Sequence, residues 1–334
     1  MKKLLLLLLV GLLLLTTISG CVKQEEEPVG MAVEFNAHSA CAYISQDKGW
    51  FEEEGLELTA YESYATGMAL AAALARGDIG VAYICLVPAI NAYANAGVPI
   101  KIVAGTHKYG YGLVVDPDKI KTVSDLEKPG IRLGCIREGG AVDVLMHKMI
   151  DKYHLDQDKI LANVQRMDPS KQVLAIKMEQ LDAGFLPEHW ATMAEGFGFS
   201  MLLTSQDIWP EMQGSVLVVK QDLIDNHPEV VEKLVKVSQK ATDWLNKHPD
   251  EAAEVMARQL QITEGKILSD APEGIAELEI TPELLLKSMG RLDYTTDIDP
   301  EMVQEIIDYI AGLGYIKTSF NAEDILDLRF LEGE

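Results

Sequence analysis

Small residues mark several points at which the sequence changes from a strand-like to a helix-like pattern. Gly139 and Gly140 precede the apolar segment that begins at Ala141, and Ser39 and Thr66 precede two other helical segments. The first turn of a helix exposes unpaired N–H groups at its positive dipole end, and glycine lets a ligand oxygen approach the backbone closely. These turns favour binding of an anionic head group, although a plain turn explains the two glycines equally well.

Arg137 lies two residues before Gly139, and a group of aromatic residues lies in or beside the loops that follow the predicted strands. Arg137 could pair bidentately with a sulfonate or a carboxylate, or it could be an exposed surface charge. Aromatic rings suggest a ring-shaped or cationic partner, whereas each ring alone is more often a half-buried packing residue. The aromatic residues are Tyr43, Tyr64, Tyr83, Tyr109, Tyr111 and Trp190. The residue types therefore leave two ligand classes open, an organic anion and a heteroaromatic ring.

The cysteine pattern excludes a complete disulfide framework and gives no specific metal signature. The chain has 4 cysteines, and an odd number remains if Cys21 carries a lipid. No Cys-x-x-Cys or His-x-x-x-His spacing occurs. Cys41, Cys85 and Cys135 each fall near the end of a predicted strand, so with His38 they could converge on a cleft and bind a soft metal or a redox centre. Because buried thiols are usually ordinary small hydrophobes, we predict no metal and no cofactor.

The N-terminal residues have the pattern of a secretion signal. A short positive segment is followed by an apolar run and by small residues, and the run is too short to span a membrane. Residues 18–21, with the sequence Ile-Ser-Gly-Cys, resemble the lipobox of prokaryotic lipoproteins, in which the cysteine receives a diacylglycerol group. We therefore predict a signal peptide at residues 1–20 and a lipidated tether at residues 21–30, with Cys21 as the lipid-bearing residue.

The acidic balance of the chain limits its partners. The formal net charge is -23 at pH 7, which disfavours a nucleic-acid partner. A solvated, soluble surface is the simplest explanation of this charge. The overall balance says little about the ligand, because only the local charge in a cleft acts on it.

After the tether, short apolar strands alternate with helical segments, which predicts an α/β architecture with mostly parallel sheets. The strands Tyr111–Val115 and Ser215–Val219 connect two such series, and the pattern beyond the second strand is helical. Two series joined by two strands predict two lobes with a hinge and a cleft between them. We predict that residues 31–112 and 213–334 form lobe 1 and that residues 113–212 form lobe 2.

The loops that follow the strands are the expected binding loops. In open parallel sheets, ligands bind beyond the carboxyl ends of the strands. The other predicted strands are Ala32–Asn36, Leu56–Tyr61, Ile79–Tyr83, Ile100–Ala104, Ile131–Cys135, Val164–Met167 and Asp182–Leu186. Their following loops in the two lobes are therefore expected to face each other across the cleft.

Four stretches in order along the chain resemble one family. Residues 49–58, GWFEEEGLEL, resemble the "GFFEKEGLDVEL" signature of the type II periplasmic binding proteins that serve nitrate, sulfonate, taurine and thiamine-pyrimidine importers. Residues 71–82, 88–105 and 123–126 resemble the "AALAAGEIDIA", "PAIxAxAxGxPLKIVAG" and "VxDLKGK" segments of the same family. The resemblance runs from about residue 33 to the C-terminus. It implies the two-lobed type II binding-protein fold with a helical C-terminal region.

The resemblance also implies where the ligand lies. The family places ligand contacts in the loops that contain Tyr64 and Trp190, and relatives of the thiamine-pyrimidine branch often have histidine at the position of His38. Residues 186–190, LPEHW, lie where relatives carry "WDPY" or "PEPY". Because this chain lacks the aspartate of "WDPY", the resemblance gives less support for taurine or sulfonate as the ligand. The predicted ligand contacts are His38, Ser39, Tyr64, Thr66, Gly67, Tyr83, Cys85, Tyr109, Arg137, Gly139, Gly140, Glu188, His189 and Trp190.

These patterns predict a binding module and no catalytic residue. The family resemblance implies an extracytoplasmic subunit that captures a small organic anion and serves ABC permease and ATPase subunits. We further predict that it is a monomer, and the lipobox resemblance at Cys21 implies a lipid anchor to the outer face of the cell membrane. The alternatives are capture of a thiamine-precursor-type pyrimidine or another heteroaromatic ring, and a cofactor-synthesis enzyme or metal-binding protein of the same fold. No Gly-x-Ser-x-Gly, phosphate-loop or Rossmann fingerprint supports an enzyme.

Overall fold

The computed structural model describes residues 29–77, 79–267 and 278–331. The predicted signal peptide, Cys21 and the tether up to residue 28 lie outside the described residues. The first strand begins at Val29, two residues before the predicted start of the folded part, because Val29 pairs with Leu58 at the edge of a sheet. Within the described ranges, no helix is both long enough and apolar enough to cross a membrane.

One half of the molecule is built on a six-stranded sheet. Its strands are β1 (Val29–Glu34), β2 (Leu58–Tyr64), β3 (Val81–Cys85), β4 (Ile100–Tyr109), β10 (Gln213–Lys220) and β11 (Leu292–Asp293), in the order β11-β4-β10-β3-β1-β2. Strand β1 is parallel to β2 and β3, so their carboxyl ends reach the same edge of the sheet. Strand β10 runs antiparallel between β3 and β4.

The other half is built on a five-stranded sheet. Its strands are β5 (Tyr111–Val115), β6 (Leu133–Cys135), β7 (Val164–Arg166), β8 (Ala183–Pro187) and β9 (Ser200–Thr204), in the order β7-β6-β8-β5-β9. Strand β6 is parallel to β7 and β8, whereas β5 is antiparallel to β8 and β9. The chain enters this half through β5 and returns to the first sheet through β10. The two sheets and their two connections confirm the predicted two-lobed α/β fold, and the residue limits given for the lobes stay a prediction. The prediction of mostly parallel sheets was wrong, because the connecting strands β5 and β10 each run antiparallel to both of their neighbours.

Gly110 makes the crossing between the sheets possible. It joins β4 to β5 at a φ of +84°, a left-handed conformation that favours glycine. A Cβ atom at Gly110 would lie 2.9 Å from Nε2 of His38, so a side chain is also excluded by contact. The first connection between the halves therefore runs directly past a buried histidine.

Helices cover both sheets. They are α1 (Ala40–Lys48), α2 (Trp50–Glu53), α3 (Gly67–Arg76), α4 (Leu86–Ala96), α5 (Ala141–Tyr153), α6 (Gln157–Ala162), α7 (Pro169–Lys177), α8 (Trp190–Gly196), α9 (Ser205–Ile208), α10 (Gln221–Asn226), α11 (Pro228–Lys247), α12 (Pro249–Ile267), α13 (Pro282–Met289) and α14 (Pro300–Gly312). The four helices α11 to α14 each begin with proline, where the fixed φ fits the first turn and the missing N–H costs nothing.

The largest differences from the sequence prediction concern two short strands. Strands β9 and β11 were not predicted, because the apolar run of β9 is only three residues long, Met201 to Leu203, and β11 has only two residues. Strands β3 and β4 extend further than predicted, to Cys85 and Tyr109, because β10 continues to pair with both of them. These longer strands carry Cys85 and Tyr109 to the junction of the two halves.

Candidate functional site

A small cleft lies between the two halves of the molecule. Its empty volume is about 380 Å³, which includes its opening to solvent, and the enclosed space within it is about 30 Å³. The first half contributes Glu34, Asn36, Ala65, Thr66, Gly67, Met68, Cys85 and Pro88, and the second half contributes Tyr111, Ile136, Gly140, Ala141, Val142, Pro169 and Pro187. Residues of both halves therefore face one small space.

Helix starts from both halves meet at this cleft. Gly67 and Met68 are the first residues of α3, and Ala141 and Val142 are the first residues of α5. Within the described part of the chain, the N–H groups of these four residues have no hydrogen-bond partner, as expected for a first helical turn. Thr66 caps α3 by accepting a hydrogen bond from Ala69. Two positive helix ends thus face the same small space.

Glu34 forms the floor of the cleft at the carboxyl end of β1. It is 2% exposed, and its carboxylate accepts hydrogen bonds from the Cys85 backbone N–H at 2.6 Å and from the Asn36 side chain at 3.1 Å. Burial raises the pKa of Glu34 above its ordinary value, and the hydrogen bonds from Cys85 and Asn36 act in the opposite direction. Gly67 lies close to this floor, since a Cβ atom there would be 2.5 Å from the carboxylate.

His38 and Cys85 lie beside this carboxylate. The Cys85 thiol donates to Glu34 Oε2 at 3.2 Å, and its sulfur lies 3.6 Å from Nδ1 of His38. The other ring nitrogen of His38, Nε2, lies 2.7 Å from the carbonyl oxygen of Gly110. The hydroxyl of Tyr111 donates to the sulfur at 3.1 Å. Burial lowers the pKa of His38 to about 4 and raises the pKa of Cys85 well above its ordinary value.

Two further histidines are buried near His38. The ring of His107 lies 4.4 Å from that of His38, centre to centre, and burial lowers the pKa of His107 well below its ordinary value. His189 packs between Phe35 and Trp190, and burial lowers its pKa to about 3. Nε2 of His107 and both ring nitrogens of His189 are buried without a hydrogen-bond partner among the described residues. These histidines are therefore neutral at physiological pH.

A charged group of side chains bridges the two halves near Pro187. We define the Arg291 cluster as Arg291, Glu188, Thr192, Glu195 and Lys287. Arg291, which precedes β11, contacts Glu188 at 3.3 Å and Glu195 at 2.8 Å in the second half. Burial raises the pKa of Glu188, against the effect of Arg291, whereas the hydrogen bonds from Lys287 and Arg291 to Glu195 outweigh burial and lower the pKa of Glu195. Glu188 is only 1% exposed, so its charge depends on Arg291.

A second group bridges the halves beside Gly140. We define the Asn91 cluster as Asn91, Asn95, Gly139, Asp143 and Tyr315. Asn91 on α4 donates to the carbonyl oxygen of Gly139 at 3.2 Å, and Tyr315 donates to Asp143 at 2.5 Å. Asn95 holds the backbone of Tyr315 through a hydrogen bond of 2.7 Å. Asp143 also pairs with Arg166 of its own half at 2.6 Å.

Four of the residues predicted from the sequence line the cleft, namely Thr66, Gly67, Cys85 and Gly140. His38 and Ser39 lie just below it and are fully buried; Ser39 accepts a hydrogen bond from the Glu34 backbone at 3.1 Å. Their positions follow from the tight turn after β1. A role for any of these residues in ligand binding stays a prediction.

Other predicted residues lie away from the cleft. Tyr83 is completely buried in the first half, where its hydroxyl is hydrogen-bonded to Ser238 at 2.8 Å, because it lies two residues before the end of β3 and α11 covers it there. Tyr64 and Tyr109 bind the carboxylates of Glu62 and Glu211 near the surface. Arg137 is exposed and is not among the residues that line the cleft.

The remaining predicted residues support the contacts between the halves. The N–H of Gly139 donates to Asp143 at 3.0 Å and that of Gly140 to the Arg137 carbonyl at 3.3 Å, so these two amides are already engaged. The expected donors are instead supplied one residue later, from Ala141 onward. Glu188 belongs to the Arg291 cluster. His189 and Trp190 are buried against Phe35.

Several residues of the site carried little or no sequence signal. Glu34 and Asn36 were included in the first predicted strand, where a lone carboxylate between apolar residues could have indicated a functional position. Arg291 gave no signal, since its partner Glu188 is 103 residues away in the chain. Tyr315 and Asp143 are similarly separated, by 172 residues.

Solved structures with the same architecture include several ligand-binding proteins. A ligand-binding component of an ABC-type import system from Staphylococcus aureus, with zinc bound, has a TM-score of 0.73 at 17% identity and covers 92% of this chain and 99% of its own. The alkanesulfonate-binding protein of Xanthomonas axonopodis pv. citri, bound to MOPS, has a TM-score of 0.73 at 13% identity over 91% of this chain and 99% of its own. The nitrate-binding protein of Synechocystis PCC 6803 has a TM-score of 0.73 at 14% identity over 92% and 88% of the two chains.

The fold and the cleft define a periplasmic-binding-protein architecture, which confirms the resemblance predicted from the sequence. Residues 22–261 match the model of the NMT1-like family, and the chain belongs to that family. A protein of Brucella abortus, provisionally named a binding protein, is 26% identical over 254 residues, which cover 73% of this chain and 74% of the relative.

Proposed function

We propose that this chain is the extracytoplasmic, lipid-anchored substrate-binding subunit of an ABC importer and captures a small organic anion by closure of its two lobes. Membership of the NMT1-like family and the structural neighbours from ABC importers support the transport role. In this role the chain binds its ligand without chemical conversion and delivers it to permease and ATPase subunits. The closed form is favoured when a ligand contacts both halves at once.

One observation supports an anionic ligand: two helix starts from opposite halves meet at the cleft. The first-turn N–H groups of α3 and α5 face one cleft, and anions bind at such positions because the amides and the helix dipole both favour negative charge. Among the described residues that line the cleft, Tyr111 is the only aromatic one. A stacked heteroaromatic ligand is therefore less well supported than an anion.

A proline substitution tests this proposal. Ala141 is the first residue of α5, and Gly140 before it is extended, at φ -83° and ψ 163°, so Ala141→Pro removes one N–H without disturbing the helix. Loss of a hydrogen bond to a charged group costs about 1.5 to 3 kcal/mol, so we expect binding to weaken by about 10- to 100-fold.

The matched control is Gln157→Pro, at the exposed first position of α6. Ligands are first screened by thermal shift with ethanesulfonate, nitrate and 4-aminopyrimidine, and affinities are then measured by calorimetry. The proposal expects an anion to bind and only the Ala141 variant to weaken it. Binding of the pyrimidine alone, or equal affinities of both variants for the anion, contradicts it.

Lobe closure and anchoring have separate tests. A bound anion should reduce the radius of gyration in small-angle scattering, and an unchanged curve at saturation argues for a rigid site. Cys21→Ser should release the protein from membranes or leave its precursor uncleaved. Normal cleavage before residue 21 together with unchanged membrane retention of that variant contradicts anchoring at Cys21.

A further inference from the structure

Three different metal-binding side chains meet at the floor of the cleft. Glu34, His38 and Cys85 each offer one donor atom, and the three atoms lie within 4.8 Å of one another. The sulfur is 3.2 Å from the carboxylate oxygen and 3.6 Å from Nδ1 of the histidine. All three residues are buried, with exposures of 2%, 0% and 4%. A carboxylate, an imidazole and a thiol that converge in a buried space form a donor set for a metal ion.

The spacing fits one ion without rearrangement of the backbone. Around a tetrahedral Zn²⁺ ion at about 2.0 to 2.3 Å from its donors, neighbouring donor atoms are separated by about 3.3 to 3.7 Å. The two separations that involve the sulfur lie within or close to that range. Small side-chain adjustments are therefore enough to place an ion between the three donors.

The fold holds each donor in position. Glu34 and Cys85 end the neighbouring parallel strands β1 and β3, and His38 lies in the turn that follows β1. Nε2 of His38 lies 2.7 Å from the Gly110 carbonyl, and a carbonyl only accepts, so Nε2 carries the proton. Nδ1 is consequently unprotonated, so its lone pair can bind a metal ion, and it faces the Cys85 sulfur. A hydrogen bond of this kind orients the ring of a metal-binding histidine.

The same cluster faces the ligand space. Glu34 and Cys85 both line the cleft, as does Tyr111, whose hydroxyl contacts the sulfur. An ion held by three protein donors retains a coordination position, and here that position is directed into the cleft. Mixed oxygen, nitrogen and sulfur donors suit borderline transition metals, whereas Mg²⁺ and Ca²⁺ prefer oxygen ligands.

We propose that Glu34, His38 and Cys85 bind one borderline divalent transition-metal ion, such as Zn²⁺, with a fourth coordination position open to the cleft. The site goes beyond the proposed capture of an anion and does not require it, because the three donors belong to the protein. Without a metal, the same three groups form a closed hydrogen-bonded network, in which the thiol donates to Glu34. The experiment must distinguish these two roles.

Metal binding is measured on the mature chain after treatment with a chelator and in the absence of any organic anion. Titration with Zn²⁺ in a calorimeter should show one ion per chain. Titration with Co²⁺ should give the near-ultraviolet charge-transfer band of a thiolate–cobalt bond and visible bands of tetrahedral intensity. These measurements on the unaltered protein do not depend on any variant folding.

Cys85→Ser and His38→Gln identify the donors. We expect each to weaken Zn²⁺ binding by more than about 100-fold, since loss of a direct ligand should exceed the 10- to 100-fold effects of outer hydrogen-bond partners. Cys85→Ser should also abolish the charge-transfer band. Cys41→Ser and Cys135→Ser are the controls, because both thiols are buried elsewhere and should leave binding unchanged.

The outcomes separate this proposal from the proposed function. Absence of stoichiometric Zn²⁺ binding, or a charge-transfer band that survives Cys85→Ser, overturns the metal site. The affinity for an anion, measured separately in the presence of chelator, then still tests anion capture. If the unaltered protein binds one Zn²⁺ ion but none of the tested anions, only the proposed function is overturned.

Discussion

The Arg291 cluster and the Asn91 cluster join the same two halves by different physical means. In the Arg291 cluster, a guanidinium group pairs with two carboxylates, one of which is almost completely buried. In the Asn91 cluster, an amide and a phenol donate single hydrogen bonds, and the one carboxylate, Asp143, is already paired with Arg166 within its own half. Ion pairs therefore connect the halves at the Arg291 cluster, whereas hydrogen bonds with neutral donors connect them at the Asn91 cluster.

This difference determines what lobe opening requires. Separation at the Asn91 cluster leaves no charge unpaired, because Arg166 stays with Asp143 in either state. Separation at the Arg291 cluster exposes Arg291 and leaves Glu188 to be solvated on its own. Opening therefore breaks hydrogen bonds between two charged groups at the Arg291 cluster, and these are stronger than the hydrogen bonds with neutral donors that are broken at the Asn91 cluster. The Arg291 cluster should therefore control the stability of the closed form more strongly.

The largest effect is expected for Arg291→Met, which keeps the length of the side chain and removes its charge. Glu188 then stays buried without its cation and close to the carboxylate of Glu195. Removal of one partner from a buried pair typically costs about 3 to 5 kcal/mol, and we expect a loss of that order in the free energy of unfolding. Urea denaturation of the mature chain measures it.

Two further variants isolate the cause. Lys287→Met removes the other cation near Glu195, but Lys287 is 55% exposed, so the expected cost is below about 1 kcal/mol. Adding Glu188→Gln to Arg291→Met should restore much of the lost stability, since the unpaired charge is removed. A large loss in the Lys287 variant, or no recovery in the double variant, would falsify the assignment of the effect to buried Glu188.

Tyr315→Phe should have an intermediate effect. It removes the hydroxyl that donates to Asp143 and leaves the ring and the Asp143–Arg166 pair in place. The expected loss is about 1.5 to 3 kcal/mol, the usual value for a hydrogen bond to a charged group. Tyr93→Phe is the control, because the Tyr93 hydroxyl makes no hydrogen bond to the described residues. A loss that exceeds that of Arg291→Met would reverse the order of the two clusters.

The sequence predicted the framework of this comparison but not its residues. Alternation of apolar strands with helices is a local signal, and it predicted the two sheets, the two connecting strands and the helical region that follows the second of them. The pairing of Arg291 with Glu188, or of Tyr315 with Asp143, depends on how distant segments fold together, and no local pattern records it. Sequence analysis therefore identified the loops at the cleft more reliably than the contacts that close it.

Side-chain direction was the second limit of the sequence analysis. Tyr83 and Cys85 lie on the same strand, but Cys85 reaches the cleft at the strand end whereas the Tyr83 hydroxyl meets Ser238 in the interior. At Gly139 and Gly140 the turn was anticipated, but the hydrogen bonds that already engage its amides were not. Of the three cysteines that the sequence left as an alternative metal or redox group with His38, only Cys85 lies beside His38.

The smallest predicted effect is a pH dependence that belongs to the Arg291 cluster alone. Hydrogen bonds from Lys287 and Arg291 hold the pKa of Glu195 in the folded protein below its ordinary value of 4.5. A carboxyl group with a lowered folded pKa contributes stability above its unfolded pKa, and the contribution is lost as the pH falls through the folded pKa. Glu195→Gln should therefore cost about 1 kcal/mol near neutral pH, and this cost should shrink only below about pH 4.5.

The measurement is the difference in unfolding free energy caused by Glu195→Gln, with both the variant and its parent carrying Glu188→Gln. That background is needed because burial raises the pKa of Glu188, so its protonation on acidification favours the folded state and opposes the effect of Glu195. Added salt should reduce the neutral-pH difference, since Lys287 is largely exposed and its pairing is screened. The loss of unfolding free energy caused by Tyr315→Phe, measured over the same pH range, serves as the comparison. If the loss of unfolding free energy caused by Glu195→Gln stays unchanged well below pH 4.5, Glu195 stabilises the protein by packing rather than by charge. The contrast between the ion-paired Arg291 cluster and the hydrogen-bonded Asn91 cluster is then wrong at this residue.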